Sequence, residues 1–167
     1  MCIRDRANSL TLGLETDVEK YRAIYLWVCS NISNDYNFFL KHRKKTERYK
    51  GDTLKLEYWN DRFKEKLFKK LLKRQKTICT GYAYMVRELS KLAGLNSQIV
   101  NGFGRISTTD IETLDTPNHS WNAVRLNGKW YLSDPTWASG IIDADKGKFK
   151  FEYNLSLIHI SEPTRPY

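Results

Sequence analysis

Three residues of this chain have side chains that can together perform nucleophilic catalysis: Cys79, His119 and Asp134. Cys79 lies in "KRQKTICTGYAYMVREL", where a basic polar run gives way to a helical pattern, so it falls at the beginning of a helix. A thiol attacks as its thiolate, and the unpaired N–H groups and dipole of a helix N-terminus favour the anion. The backbone N–H of Cys79 can also donate to an oxyanion. This arrangement predicts acyl transfer through a thioester.

The stretch "HSWNAVRLNGKWYLSDPTW" predicts the hairpin that would supply the other two groups. Asn127-Gly128 between two alternating runs favours a two-residue type I′ turn, which sets the register of the paired strands. In that register His119 and Asp134 are diagonal neighbours on one face, about 7–8 Å apart at the backbone, a gap that a ring side chain can bridge. The carboxylate would then accept an imidazole N–H, fix the tautomer and stabilise the imidazolium.

Each of these residues also has an ordinary structural explanation. A cysteine at a helix start can simply pack there, a histidine on a strand can be a satisfied polar residue, and an aspartate before proline can be a turn residue. We take the joint arrangement as the catalytic hypothesis. Cys29, in the middle of a helical pattern, is predicted to be a buried structural thiol. His42 is predicted to be a surface residue of a basic loop.

Both ends of the chain resemble translated sequencing-adapter DNA. One DNA sequence can encode "MCIRDR" on one strand and "LSLIHI" on the other, and these are residues 1–6 and 155–160. We therefore set residues 1–6 and 155–167 aside from fold prediction, as one would a tag. Residues 7–154 are expected to form one domain, which we expect to be truncated in this chain. The compartment stays open, and a secreted or periplasmic protein whose signal lies outside the chain is compatible with this sequence.

The positive charge of the chain is concentrated in residues 41–76. This range holds 15 Lys or Arg and 5 Asp or Glu, a net charge of +10, whereas the whole chain carries +9. Its second half has Trp59, Phe63, Leu67 and Leu71 at i, i+4 spacing, which predicts an amphipathic helix with a lysine-rich outer face. We interpret it as a basic insertion whose helix covers part of the core. Binding of an anionic partner is the alternative, and no nucleic-acid-binding motif accompanies it.

The rest of the chain predicts a mixture of helices and strands. Residues 17–33 form a helix with Asp17 as its N-cap and with Val18, Tyr21, Tyr25, Val28 and Ile32 as its apolar stripe. Residues 79–93 form a second helix that Gly94 ends in the left-handed conformation. A short strand, "SQIVNGFG", and a polar loop over residues 105–117 then lead to the hairpin. No apolar run reaches the roughly 18 residues that a membrane-spanning helix needs.

These pieces resemble the transglutaminase-like superfamily of papain-like cysteine enzymes, in its kyphoscoliosis-peptidase-like branch. The resemblance lies in "TICTGYAYMVRELSKLAGLNSQIVNGFGR", in "NHSWNAVRLNGKWYLSDPTW" and upstream in "AIYLWVCSNISNDY", and it covers residues 17–154. It implies an α+β fold in which a Cys-bearing helix packs on an antiparallel sheet that carries His and Asp. The family often has Gly-Val before the cysteine, where this chain has Thr77-Ile78, and Thr77 is expected to cap the helix instead.

The resemblance implies Cys79 as nucleophile, His119 as general base and then acid, and Asp134 as the residue that orients the imidazole. Tyr36 is a candidate for additional oxyanion support. Further residues expected to line the site are Tyr82, Trp121 and Trp137.

The expected substrate is a protein or peptide amide, and hydrolysis is favoured over crosslinking because water is the default second substrate. Two alternatives stay open: a catalytically silent interaction module, and a basic-surface binder of an anionic partner. We expect no cofactor, because no oxygen-rich calcium loop is present, and no metal. Nucleic acid is not expected as a partner, and the oligomeric state is open.

Overall fold

The computed structural model describes residues 2–104, 117–143 and 146–154, together with the backbone of residues 158–159. The helices are α1 (Ile3–Thr11), α2 (Asp17–Asn31), α3 (Tyr36–Tyr49), α4 (Thr53–Arg74), α5 (Cys79–Leu92) and α6 (Pro135–Ser139). The strands are β1 (Ser33–Asn34), β2 (Lys76–Thr77), β3 (Asn96–Gly102), β4 (His119–Leu126), β5 (Lys129–Ser133), β6 (Gly140–Asp143), β7 (Lys148–Phe151) and β8 (Ile158–His159).

The main sheet has the strand order β3-β4-β5-β8, and each neighbouring pair is antiparallel. Helix α5 packs on β3 and β4 and also contacts α1 and α2, so it lies at the centre of the fold. The main core joins buried side chains of α2, α5 and β4, among them Tyr21, Tyr25, Val86, Leu89 and Val124. This mixture of helices packed on an antiparallel sheet agrees with the predicted α+β class.

The predicted hairpin register is confirmed. Asn127 and Gly128 have φ of 49° and 81°, as a type I′ turn requires, and Leu126 pairs with Lys129. The β4 residues 120, 122, 124 and 126 are buried against the core, which leaves His119 and its neighbours at alternate positions on the opposite face. The turn therefore decides which side chains can meet Asp134 at the end of β5.

Helix α2 begins at Asp17, the first residue of the predicted range, and ends at Asn31, but its N-cap differs from the prediction. Thr16, and not Asp17, is the N-cap: its side chain accepts from the Glu19 N–H while Glu19 bonds back to the Thr16 N–H at 3.0 Å, forming a capping box. A reciprocal pair satisfies two orphan N–H groups at once, which explains why it prevails over a lone aspartate. Val18 also leaves the predicted stripe, since its side chain is exposed.

The basic range forms a helical hairpin, α3 followed by α4. The predicted amphipathic helix is present as α4, whose Phe63, Leu67 and Leu71 are buried. The first half is a helix and not the predicted basic loop, because the Asp35 side chain caps α3 by accepting from the Phe38 N–H at 3.2 Å. Phe38, Phe63, Leu67 and Ile78 form a second, smaller core between this hairpin and the start of α5.

Strands β1 and β2 pair in parallel and hold the two ends of the helical hairpin together. Asn34 pairs with Thr77, and the Asp35 N–H donates to the Thr77 carbonyl at 2.7 Å. This bridge brings the start of α3 alongside the segment that leads into Cys79.

Several expectations on the chain ends and loops remain predictions. Residues 3–6, set aside as adapter-derived, form the first turn of α1, and Arg6 lies over the Trp27 ring at 4.6 Å. This packing does not test the domain limits 7–154, because the adapter hypothesis is about the DNA that encodes the two ends of the chain. The predicted loop falls, for residues 105–116, outside the described residues. Among the described residues, no helix has both the length and the apolar character to cross a membrane.

Candidate active site

Cys79 is the first residue of α5 and is partly exposed. The N-cap is Ile78, in extended backbone, and no side chain caps the helix. Within α5 the first N–H groups, those of Cys79 and Thr80, have no preceding helical turn to bond to. The start of α5 therefore offers a thiol together with N–H groups and a dipole that favour negative charge.

Thr77 does not cap α5, which corrects the prediction. It belongs to β2 and is buried, and its hydroxyl has no hydrogen-bond partner among the described residues. The side chain packs against Gly81 so closely that a Cβ added at Gly81 would overlap the Thr77 hydroxyl. Strand β2 ends so close to the start of α5 that position 81 must be glycine. The sequence prediction missed this requirement.

His119 and Asp134 are in direct contact, as the hairpin register predicts. The His119 Nε2 and Asp134 Oδ2 atoms are 2.5 Å apart. The other carboxylate oxygen, Oδ1, accepts the N–H groups of Thr136 and Trp137 at 2.9 and 3.1 Å, so Asp134 is also the N-cap of α6. Pro135 suits the first position of that helix because its missing N–H needs no partner there. The carboxylate is therefore held in place from both sides.

The imidazole of His119 is bound to this carboxylate, and the Cys79 thiol is close enough to raise its pKa. Burial alone would lower the pKa of His119, but its hydrogen bonds to Asp134 and Cys79 outweigh burial and raise the pKa to about 9. Because Nε2 is bound to Asp134, Nδ1 is the ring nitrogen left for the thiol. The structure thus brings together the three residues that the sequence singled out, and at neutral pH it favours the imidazolium.

Aromatic side chains cover the imidazole. Trp137 stacks on His119 with ring centroids 4.7 Å apart and the planes at 14°, and it is itself 41% exposed. Trp121 also contacts the imidazole, with centroids 5.9 Å apart and the planes tilted by 30°. Gly104 passes so close that an added Cβ would be 2.9 Å from the Cβ of His119. His119 is consequently only 9% exposed although it is on the outer face of the sheet. Both tryptophans contact His119, and their role in lining a site stays a prediction.

Helix α2 supports the Asp134 segment from within the core. The Tyr25 hydroxyl donates to the Asp134 carbonyl at 2.9 Å, and the Tyr21 hydroxyl is hydrogen-bonded to Ser133. The Cys29 thiol lies 3.6 Å from the Pro135 carbonyl and is fully buried, as predicted for a structural cysteine. Burial raises the pKa of the Cys29 thiol to about 12, so it has no thiolate at neutral pH.

A polar contact between α5 and the sheet was missed by sequence reasoning. Asn122 is fully buried, and its side-chain amide donates to the Ala83 carbonyl of α5 at 2.9 Å and to the Gln98 carbonyl of β3 at 3.3 Å. It therefore fixes the Cys-bearing helix on the His-bearing strand. The signal was present: in "HSWNAVRL" an asparagine occupies a core-facing position between apolar residues, where it must find partners.

Two other predicted site residues lie elsewhere or stay untested. Tyr82 does not line the site, because it is 0% exposed and its hydroxyl donates to the Ile32 carbonyl at 2.7 Å inside the core. One helical turn after Cys79, its side chain points to α2 and not to the site. Tyr36 is partly exposed, begins α3 beside β2, and stacks on Phe39 with centroids 6.2 Å apart. Its oxyanion role stays a prediction.

His42 is half-buried in helix α3 and not in a surface loop, which corrects the prediction. Its ring stacks on Phe63 with centroids 3.8 Å apart, and its Nδ1 accepts the Trp59 indole N–H at 3.2 Å. Burial lowers the pKa of His42. Its neutral imidazole is thus a packing element of the α3–α4 hairpin. Within the described ranges, no group of three or more His, Cys, Asp or Glu residues is placed to hold a metal ion.

Comparison with known protein families shows which family the chain belongs to. A family model described as the transglutaminase-like superfamily matches residues 4–135, a span that contains Cys79, His119 and Asp134. The chain belongs to the transglutaminase-like superfamily. This membership agrees with the α+β fold and with the resemblance found in the sequence.

The transglutaminase-like chain also has curated relatives. Human kyphoscoliosis peptidase is 33% identical over 141 residues, which is 83% of this chain and 18% of that protein. Mouse kyphoscoliosis peptidase is 30% identical over 154 residues, which is 91% of this chain and 20% of that protein. The chain thus spans about a fifth of the length of either relative. A solved structure described as "Crystal structure of a TGase" has 18% identity and a TM-score of 0.49, over 80% of this chain and 30% of that one.

Proposed function

We propose that this transglutaminase-like domain is a cysteine enzyme that cleaves amide bonds of proteins or peptides. Cys79 is the nucleophile, His119 the general base and then acid, and Asp134 the residue that orients the imidazole. One observation carries the proposal: a thiol at the start of a helix interacts with an imidazole whose Nε2 is bound to a carboxylate at 2.5 Å. Nucleophile, base and orienting group in this order are what acyl transfer to a thiol needs.

The first step prepares the nucleophile. His119 takes the proton of the Cys79 thiol on the ring nitrogen that is not bound to Asp134, giving a thiolate next to an imidazolium. The raised pKa of His119 favours the protonated ring at neutral pH, and the Asp134 carboxylate stabilises its charge. The start of α5 stabilises the thiolate.

The second step breaks the amide bond. The Cys79 sulfur attacks the carbonyl carbon, and the oxyanion that forms accepts hydrogen bonds from N–H groups at the start of α5, with Tyr36 as a candidate second donor. As the C–N bond breaks, His119 gives its proton to the leaving amine, and the acyl group remains on Cys79 as a thioester.

The last step releases the acyl group. Water attacks the thioester while His119 takes its proton, which frees a carboxylic acid and restores the thiol. We favour water over an amine as acceptor because water needs no dedicated site. A dansylated primary amine distinguishes the two outcomes: its incorporation into an acceptor protein in preference to hydrolysis would indicate crosslinking.

The proposal is tested by iodoacetamide labelling across pH, with each cysteine followed by peptide mass spectrometry. Cys79 is expected to react near pH 6. A small-molecule thiol labelled in parallel is the reference for an ordinary thiol and should react only at higher pH, and buried Cys29 should stay unlabelled. Labelling of Cys79 only above about pH 8, in step with the small-molecule thiol, would contradict the activated thiolate. That result, together with an unaltered biological activity of Cys79→Ala, would favour a non-catalytic interaction module.

A further inference from the structure

The α3–α4 hairpin has a groove between its helices that the proposed catalysis does not use. It consists of two adjoining depressions of about 280 and 580 Å³ that share Tyr49 and Lys55. We call it the α3–α4 groove, and its lining residues are Lys45, Arg48, Tyr49, Asp52, Lys55, Tyr58, Trp59, Arg62 and Lys66. These volumes suit a few side chains of a ligand and not a folded domain.

The groove is positively charged, and three of its five cations, Lys45, Lys55 and Arg62, have a partner in the protein. Five of the nine lining residues are Lys or Arg, and the one acidic residue, Asp52, is paired with Lys55 at 2.7 Å. The Arg62 guanidinium donates to the Tyr58 hydroxyl at 2.8 Å and lies over its ring. Lys45 lies over the Tyr49 ring. Aromatic rings therefore orient the charges, which lowers the conformational entropy that a bound anion would have to remove.

We propose that the α3–α4 groove binds an acidic peptide segment, a run of Asp or Glu side chains in the substrate. Carboxylates fit guanidinium groups in a bidentate manner and accept from lysine ammonium groups. The proposal rests on the proposed function in one respect, which is that the bound segment belongs to the peptide chain offered to Cys79.

The groove suits an acidic peptide better than a nucleic acid or a membrane. The Tyr49 and Tyr58 rings each already carry a cation, from Lys45 and Arg62, which leaves fewer ring faces for stacking of bases. The apolar face of α4, with Phe63 and Leu67, is buried inside the protein and cannot insert into a bilayer. A carboxylate-bearing side chain requires neither stacking nor insertion.

The groove is also within reach of the catalytic cysteine. Helix α3 begins at Tyr36, beside the β2 strand that leads into Cys79, and it ends at Tyr49 in the groove. At 1.5 Å per residue the helix is about 20 Å long. An extended peptide needs about six residues for that length alone, before the step from Tyr36 to Cys79 is counted. The expected substrate therefore has its acidic run about six or more residues away from the bond that is cleaved.

The binding test uses the complete chain with Cys79→Ala, so that binding is measured without turnover. Fluorescence anisotropy compares a labelled peptide rich in Asp and Glu with its Asn and Gln analogue. The groove variant combines Lys45→Gln, Arg48→Gln, Arg62→Gln and Lys66→Gln. The matched control removes the same charge from exposed residues of α4 outside the groove: Lys64→Gln, Lys69→Gln, Lys73→Gln and Arg74→Gln. Circular dichroism checks that both variants are folded.

The acidic peptide is expected to bind at least about tenfold tighter than its neutral analogue. The groove variant should lose that preference. In the control variant, the logarithm of the Kd ratio between the neutral and the acidic peptide should fall by less than about a third. Equal losses in the two variants would show a diffuse charge effect and overturn the proposal. The proposal would also be overturned if a single-stranded oligonucleotide or anionic vesicles bound equally tightly and displaced the peptide.

A kinetic test separates this proposal from the proposed function. Wild-type protein and groove variant are compared on a fluorogenic peptide with and without an acidic run six residues from the cleaved bond. The run should raise kcat/KM of the wild type through KM, and it should have no effect on the groove variant. Binding without any turnover by the wild type would count against the proposed function while supporting the acidic-peptide site.

Discussion

Asp134 binds His119 with one carboxylate oxygen and caps helix α6 with the other. The Oδ2 atom is 2.5 Å from His119 Nε2, and the Oδ1 atom accepts the Thr136 N–H at 2.9 Å. The backbone of α6 thereby fixes the rotamer of the residue that orients the imidazole. Asp134 is thus both a helix cap and the hydrogen-bond partner of His119, so its structural role is compatible with the role proposed for it.

Substitution of Asp134 should separate these two contributions. Asparagine caps helices as well as aspartate, so Asp134→Asn should keep the stability due to the α6 cap and lose only the part due to the His119 imidazolium, which vanishes above about pH 9. Its kcat/KM should fall roughly 10²- to 10⁴-fold, because the amide cannot stabilise the imidazolium. Asp134→Ala loses the cap as well, and its free energy of unfolding should fall by a further ~1 kcal/mol. Urea unfolding and kcat/KM measure the two effects. A fully active Asp134→Asn enzyme would show that Asp134 serves only the helix.

The stability of the protein should depend on pH through His119. Its pKa in the folded protein is raised to about 9, above the value of about 6.5 for an unfolded histidine. Protonation therefore favours the folded state: the contribution is complete below about pH 6.5 and is lost as the pH rises through 9. His119→Gln should be less stable than the wild type at pH 6, and the difference should shrink by pH 9.5. A difference that is constant across this range would contradict the raised pKa.

Gly81 should tolerate no larger residue while Thr77 is present. Gly81→Ala places a methyl group on the Thr77 side chain, and we expect it to lower the free energy of unfolding by roughly 1–3 kcal/mol. Thr77→Ala removes the hydroxyl that the added methyl meets, so the double variant should recover part of the loss. A double-mutant cycle of unfolding free energies measures that coupling. Strict additivity would mean that the two side chains do not meet.

Asn122 should act on catalysis without touching the substrate. Asn122→Ala removes the donor to the Ala83 and Gln98 carbonyls and should cost ~1–3 kcal/mol of stability, because buried acceptors lose their partner. Since the amide holds α5 on β4, kcat should fall more than KM rises, and the iodoacetamide reactivity of Cys79 at pH 6 should drop. Arg125→Ala, at an exposed position of the same strand, is the control and should change stability by less than ~0.5 kcal/mol. Unaltered Cys79 reactivity in Asn122→Ala would reduce Asn122 to a core residue.

The parts of the site that could be predicted are those set by local rules. A two-residue Asn-Gly turn fixes the pairing of β4 with β5, and that pairing alone brings His119 to Asp134. The position of Cys79 at a helix start likewise follows from the change in sequence pattern. Such local rules predict where these residues lie and not whether they take part in catalysis, so their catalytic roles have to be tested by the experiments above.

The errors arose where tertiary partners override local preference. Thr77 is a good capping residue, but pairing of β2 with β1 directs it into the core. Tyr82 lies close to Cys79 in sequence, yet a helix turns its side chain towards Ile32. His42 sits in a basic run that reads as a loop, and its burial depends on Phe63 and Trp59, which come some twenty residues later.

The parallel pairing of β1 with β2 explains why a basic hairpin can occupy this place at all. Parallel neighbours cannot be joined by a tight turn, so the chain must make a crossover of a dozen residues or more between Asn34 and Lys76. The fold dictates that a crossover exists and where its two ends lie, but it leaves the length and charge of the crossover free. Outside the Asp35 cap, Tyr36 and the apolar residues that pack on Ile78 and on the main core, residues 35–75 can therefore differ in length and charge without displacing the Cys79 helix.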